Sequence, residues 1–487
     1  MQRYLLPRLR DFVFIVLLAG ALLSGTRMLN TDGDLGRHLT LGNYILTSRR
    51  IPTQDILSFT KTGQARPPYE WLAQVLLALA YRVLNLDGVV LLTSFAIAAT
   101  FTFVYLDAVR RSHWPILGMF ITLWAAAASS LHWVSRPHVF SFLFFAVWLA
   151  MLDRVGRGEE QPVWQFPALI LLWANTHGGF VFGFLAYAAY LVGWLIAYAR
   201  GSNPIGLGQK LLLIGGASFI ASVLTPDLWG NWTATLNNRS SYILSHTAET
   251  MPLNLDLFNV WPFLGLLALS IVLMLLRWKE LAPSHVLLLG GLAIMSFAIA
   301  RNVPLFVIAA APLCTNWLAS ALSRVSLWAR LEDGFARIDQ RLHGFFWSVL
   351  ALVGVFGFLF FHIHLTQAPM FHLSPRQFPV DAATWLERNP QQGYMFNEIN
   401  WGGYLLYRLW PEQKVFIDSQ TDFYGEVFVE RYVAILDGAT GWDAQLKQAG
   451  VNWLLISPSE PLADIASHTP GWKRAYQDSI AVVIIRR

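Results

Sequence analysis

Asp32, Asp34, Arg37 and His38 fall within seven residues, Asp32-Gly33-Asp34-Leu35-Gly36-Arg37-His38, directly after the first apolar segment. A second polar and aromatic run, Arg66-Pro67-Pro68-Tyr69-Glu70-Trp71, follows. A carboxylate within hydrogen-bond reach of a hydroxyl can act as a general base. A leaving phosphate needs positive charge or a divalent ion as its bond breaks. Arg136, His177 and Arg301 could supply the charge; Asp32, Asp34, His38 and Glu70 could hold a metal through oxygen and nitrogen. Asp-Gly-Asp is equally a turn sequence, and Asp55 beside Pro52 reads as a turn or cap residue. Packed charges at the exit of an apolar segment suggest chemistry at a membrane surface on a lipid-borne substrate.

These residues must be positioned by membrane helices. The chain has 487 residues, 55% hydrophobic and 13% charged, against about 25% charged in a soluble protein. Runs of about 18 apolar residues recur, enough to cross a hydrocarbon core. The spacing predicts spans at 11–28, 88–107, 114–132, 137–153, 163–174, 178–199, 209–224, 259–276, 284–299, 303–321 and 345–363. The first, preceded by Arg3, Arg8 and Arg10, reads as a retained helix rather than a cleaved signal. Glu70–Leu86 reads as a helix lying in the interface.

Arg110, Arg111, Arg154, Arg157, Arg200, Lys210, Arg277, Lys279, Arg324, Arg330, Arg337 and Arg341 then share the side of the N-terminus. Basic loops mark the cytoplasm, so the N-terminus is expected inside and the C-terminus outside. The net charge of +5 therefore describes loops and gives no argument for nucleic acid. Cys314, the single cysteine, excludes an intramolecular disulfide and reads as a buried thiol.

The expected outer side gathers Asp32, Asp34, Arg37, His38, Glu70, Arg136-Pro137-His138, Asn175-Thr176-His177-Gly178-Gly179 and Arg301-Asn302. Charges at helix ends are also ordinary anchors, but a common side is consistent with a shared cavity. The fold class expected is mainly α: a polytopic helical module over 1–365, with a large first outer loop at 29–87, then an extracytoplasmic α/β domain over 375–487. In that domain 382–388, 401–409 and 442–449 read as helix, and 394–396, 414–417, 451–457 and 480–485 as strand. No glycine-rich phosphate loop opens any of its helices. Glu398, Asp418 and Asp422 could bind an acceptor there; alternatively Asn397, Asp418 and Thr421 are strand-end turn and cap residues. Asn231-Trp232-Thr233 and Asn238-Arg239-Ser240 match the short glycan-acceptor pattern.

The chain resembles the GT-C superfamily of membrane glycosyltransferases, in the branch of protein mannosyltransferases and aminoarabinose transferases. Asp34-Leu35-Gly36-Arg37-His38 is similar to that branch's acidic stretch beyond the first helix, and Tyr69-Glu70 to its second acidic site. The Arg136-Pro137-His138, Asn175-x-His177-Gly178-Gly179 and Arg301-Asn302 stretches resemble motifs of bacterial members. So does the tail, with Phe396-Asn397-Glu398, Trp401-Gly402-Gly403-Tyr404, Phe416-Ile417-Asp418 and Thr421-Asp422. The Asp-Glu pair usual in protein mannosyltransferases is absent, because Leu35 follows Asp34.

The resemblance implies an inverting enzyme that transfers sugar from a polyprenyl-phosphate-linked donor to an acceptor hydroxyl at the outer face of the plasma membrane. It implies Asp34 as base and Glu70 as a metal- or substrate-positioning carboxylate, with Asp32 beside them. Substrate contacts would come from Arg37, His38, Arg136, His138, His177, Arg301 and Asn302, and a divalent ion would sit on Asp32, Asp34 and Glu70. The rivals are a non-enzymatic carrier or polysaccharide-assembly scaffold, and an inactive member of the family.

Overall fold

The computed structural model describes residues 6–202, 204–237, 251–342 and 346–487. Its long helices run α1 Leu9–Leu23, α2 Asp34–Ser48, α3 Trp71–Ser112, α4 Pro115–Ser129, α5 His138–Gly156, α6 Gln165–Thr176 and α7 Phe180–Ala199. They continue α8 Ile205–Val223, α9 Trp261–Leu276, α10 Pro283–Ala298, α11 Val303–Leu322, α12 Ser326–Arg341 and α13 Phe346–Thr366. Among the described residues, seven helical stretches are long and apolar enough to cross a membrane. The chain is an integral membrane protein. α9 and α10 are apolar but shorter. α3 breaks at Leu84 and Asn85, where Asn85 takes a left-handed φ of 52°, so the stretch 71–83 and the apolar run after it are separate helices in all but name.

The chain divides into two compact units: residues 1–25, 90–235 and 245–368, and residues 26–89, 236–244 and 369–487. In the first, helices meet through small side chains, as membrane helices do when backbones must approach closely. A Cβ on Gly193 of α7 would lie 2.6 Å from the Ser284 nitrogen at the start of α10. Side-chain contacts tie the basic loops together at one end of this unit. Arg111 bridges Asp107 and Asp153, both at 2.7 Å, and His285 Nε2 lies 2.9 Å from Asp153. Glu332 of α12 accepts the Ile116 and Leu117 amides at 2.9 and 2.7 Å, and Asp339 accepts that of Leu9 at 2.8 Å. Each carboxylate thus satisfies bare N–H groups at a helix start. Cys314 is buried against Ser270 at 3.1 Å. Asn231 is also buried, its amide donating to the Ala174 carbonyl at 2.8 Å, so it presents no acceptor amide to solvent. Asn238 lies outside the described residues.

The second unit joins the segment after the first helix to the C-terminal part. Asp87 accepts the Met370 and Phe371 amides at 2.9 and 2.8 Å, and Asn30 bonds His372 and Ser374. Beyond them come α14 Val380–Arg388, β1 Tyr394–Asn397, α15 Gly402–Leu409, α16 Glu426–Leu436, α17 Trp442–Gln448, β2 Val451–Ile456, α18 Pro461–His468, β3 Trp472–Gln477 and β4 Val482–Arg486. The sheet order is β1-β2-β4-β3, with β1 parallel to β2 and the other pairs antiparallel. Trp401 and Trp453 are buried in its core. Residues 414–417, expected as a strand, do not join this sheet. Val415 makes an isolated bridge to Ser58, donating to Leu57 and accepting from Phe59. The backbone groups of this stretch therefore pair with the loop of the first segment.

α2 crosses α15 with backbones in contact. A Cβ on Gly36 would strike the Gly403 carbonyl, and one on Gly403 the Gly33 carbonyl. Gly36→Ala is therefore expected to destabilise the protein by about 1–3 kcal/mol, read as a lower thermal midpoint. Gly20→Ala, with nothing within 4 Å of its Cβ, is the matched change with no penalty.

Glu398 accepts the Ser457 amide at 3.0 Å. Burial pushes its carboxyl up to about 7, against the pull of that amide. A raised carboxyl favours the folded state below its ordinary value of 4.5, and the benefit disappears as pH rises through about 7. Glu398→Gln keeps the acceptor oxygen and is expected to remove this loss. The difference in thermal midpoint between wild type and variant, followed from pH 4.5 to pH 8, checks it; an unchanged difference contradicts it.

Candidate functional site

Five of the sequence-selected residues, Asp32, Asp34, Arg37, His38 and Glu70, lie together in the second unit. Asp34 opens α2, and Asp32 Oδ1 accepts the Asp34 amide at 2.9 Å, so Asp32 fixes the helix start. Arg37 is one turn on, on the same face, and its Nη2 donates to Asp34 Oδ1 at 3.1 Å. The Ser419 hydroxyl donates to the same oxygen. His38 Nδ1 lies 3.8 Å from Glu70 Oε2 and 3.5 Å from Gln74 Nε2. The Asp34, Arg37 and His38 side chains are all buried, whereas Glu70 keeps 12% exposure.

Residues 418–420 supply the rest of the cluster. Arg66 donates to Asp55 at 2.6 Å, to Asp418 at 3.0 Å and to Gln420 Oε1 at 2.7 Å, with the Phe423 ring 4.5 Å from its guanidinium. Gln420 Oε1 also accepts from Arg37 Nη1 at 3.1 Å, and its amide nitrogen donates to the Tyr69 hydroxyl at 3.3 Å. One amide side chain thus holds both arginines and a tyrosine. Asp55 is a turn residue as expected, accepting the Leu57 and Ser58 amides, and an ion-pair partner of Arg66 besides.

Burial alone would raise the Asp418 carboxyl, but Arg66 and Arg37 outweigh it and hold Asp418 below the usual carboxylate range. Burial likewise opposes charge on Arg37, and Asp418 and Glu70 restore it. Asp422, beside the same arginines, is pushed up by burial. Arg37, Asp55, Arg66, Tyr69, Glu70 and Gln420 line a narrow, partly open cleft. Asp34 does not line it; it is reached through Arg37.

The first unit carries its own polar cluster, at the end opposite the basic loops. His138 opens α5 and its Nε2 lies 2.9 Å from the His132 carbonyl. The His138 and His177 rings are 6.5 Å apart, and Arg301 and Arg136 act electrostatically on His177. The His177 tautomer follows from its partners. The Gly179 amide donates to Nδ1 at 3.0 Å, so Nδ1 carries a lone pair. Trp173 Nε1 donates to Ser141 Oγ at 2.7 Å, and Ser141 passes its own proton toward Nδ1 at 2.8 Å. His177 is then a neutral imidazole with its proton on Nε2. Asn302 is turned away, donating to the Met295 carbonyl at 3.1 Å.

No protein family matches the sequence, and no curated protein matches it. Solved structures do. The chain is similar to the oligosaccharyltransferase AglB of Archaeoglobus fulgidus, in complex with an inhibitory peptide and a dolichol-phosphate. The TM-score is 0.60 at 11% identity, over 91% of this chain and 69% of that one. It is also similar to apo ArnT of Cupriavidus metallidurans, with a TM-score of 0.51 at 11% identity, over 96% and 97%. The chain has the GT-C fold.

In this GT-C fold the metal set expected from sequence does not assemble. Among the described residues, no three His, Cys, Asp or Glu side chains are grouped to hold an ion. Asp34 Oδ1 is engaged by Arg37 and Ser419, Asp32 caps the helix, and Glu70 faces His38.

The residues that sequence reasoning left without a role are Arg66, Ser419 and Gln420. Arg66 was visible beside Tyr69-Glu70 as a charge between a loop and two prolines. Ser419 and Gln420 carried no signal of their own, since nothing local marks a side chain that reaches a partner more than 350 positions away.

Proposed function

We propose that the protein is a membrane glycosyltransferase that moves a sugar from a polyprenyl-phosphate-linked donor to an acceptor hydroxyl at the outer face of the membrane. The observation that carries this reading is Asp34, pinned through one oxygen by Arg37 and Ser419 beside a cleft walled by Glu70, in a GT-C fold. Pinning Oδ1 orients the carboxylate, and a positioned base requires a fixed orientation. In the transfer, the acceptor oxygen bonds the anomeric carbon and the bond from that carbon to phosphate breaks. Polyprenyl phosphate leaves, the configuration inverts, and Asp34 takes the acceptor proton. Glu70 and His38 hold sugar or acceptor hydroxyls. Arg136, Arg301 and the Nε2 proton of His177 are donors of the kind an anionic lipid head requires, and His138 is placed beside them.

The AglB structure contains a dolichol-phosphate, a lipid-borne phosphate, which supports the donor class. We place the N-terminus in the cytoplasm and the C-terminal α/β part outside. The chain then crosses about eleven times, with α1, α6, α9 and α10 as short crossings and the basic loops inside.

Sealed proteoliposomes with labelled polyprenyl-phosphate sugar test the reading. New glycosidic product at the outer face is the expected result. Label accumulating without any product would replace the enzyme by a carrier.

A further inference from the structure

We propose that α12 lies flat at the membrane surface and binds anionic phospholipid headgroups through Arg330, Arg337 and Arg341. The helix has three sides rather than two. One faces the bundle: Ala329 and Ala336 flank Glu332 and Asp339, whose carboxylates hold the starts of α4 and α1. The second is apolar and bare, with Leu327 64%, Trp328 51%, Leu331 46%, Phe335 46% and Ile338 59% exposed. The third carries Arg330, Asp333, Arg337, Gln340 and Arg341, all exposed. At 100° per residue these sets occupy separate arcs.

A helix with one side to protein, one to hydrocarbon and one to polar surroundings fits the place where those three media meet. The chain puts it there. α12 starts four residues after α11, a membrane-length helix, and α13 follows it. Trp328 on the bare side is a residue type that favours the interface.

Charge selects the lipid. The two inward carboxylates are spent on helix starts and on Arg8, which pairs with Asp339 at 3.0 Å. The outward arc therefore keeps three arginines against Asp333 alone, and Arg324 precedes it. This is the balance of a surface drawn to anionic headgroups.

The full chain in nanodiscs tests this. In a Cys314→Ser background, Ile338→Cys or Gln340→Cys carries an environment-sensitive fluorophore. The Ile338 probe should be quenched by nitroxides on acyl chains and shielded from aqueous iodide, and the Gln340 probe the reverse. An Ile338 probe open to iodide, or shielded from both quenchers because protein covers it, overturns the proposal. Separately, enrichment of phosphatidylglycerol over phosphatidylcholine around the protein should fall about fivefold for each arginine replaced by glutamine. Unchanged enrichment in the triple variant would refute the headgroup assignment.

Discussion

Asp34→Asn is expected to lower sugar transfer by about 10²–10⁴-fold, the usual worth of a general base. The change is nearly isosteric. Asparagine keeps an oxygen that can accept from Arg37 and Ser419, and Arg37 keeps Gln420 and, at 3.9 Å, Asp418. The helix start is unaffected, since Asp32 caps it through the backbone. Thermal stability and membrane insertion should therefore stay close to wild type while turnover collapses. Glu70→Gln, at the cleft wall, should cost less in turnover and more in KM, because it removes a contact to bound substrate rather than the proton acceptor. Equal turnover by Asp34→Asn and wild type would remove Asp34 from the mechanism.

The largest effect on stability is expected from Arg66→Met. Arg66 is the shared cation of Asp55 and Asp418, two carboxylates with 1% and 0% exposure. Its removal leaves both buried without their principal partner, at a cost of about 3–5 kcal/mol. The same pairing predicts the acid response. Asp418 is held below the usual carboxylate range, so its contribution is present above its ordinary value and is lost as pH falls through the lowered one. Wild type should lose stability steeply on acidification, and Arg66→Met, already without the pair, should show a shallower fall. Thermal midpoints measured from neutral to acid pH check both parts. A midpoint for Arg66→Met equal to wild type at neutral pH would contradict the buried pairing. Arg66→Lys should fall between the two, because an ammonium cannot span both carboxylates and Gln420 as the guanidinium fork does.

The helical body was legible because a span needs only an apolar run of sufficient length, and that is a local property. His138–Gly156, Phe180–Ala199 and Phe346–Thr366 all fall on runs readable from composition alone. The chemistry near Asp34 was half legible. Arg37 is three positions from its partner, so helical spacing reveals the pair. Arg66, Ser419 and Gln420 were not, because their partners are brought by the fold. The same limit explains residues 414–417. They read as a strand, but their backbone pairs with residues 57–59, and no local pattern announces a partner so distant. The glycines were informative only in retrospect: nothing local marks Gly36 or Gly403 as the place where α2 and α15 cross. The three carboxylates read as metal ligands form no such group among the described residues: each has a different neighbour, Asp34 meeting Arg37, Asp32 a backbone amide and Glu70 His38.

The most direct measurement is release of polyprenyl phosphate from a mixed pool of polyprenyl-phosphate sugars, read by mass spectrometry with purified protein in lipid and a broad set of acceptors. Release by wild type, lost in Asp34→Asn and reduced in Glu70→Gln, is the predicted result, and the donor consumed identifies the sugar. No release from any donor, with Asp34→Asn indistinguishable from wild type, would contradict the assignment of a glycosyltransferase.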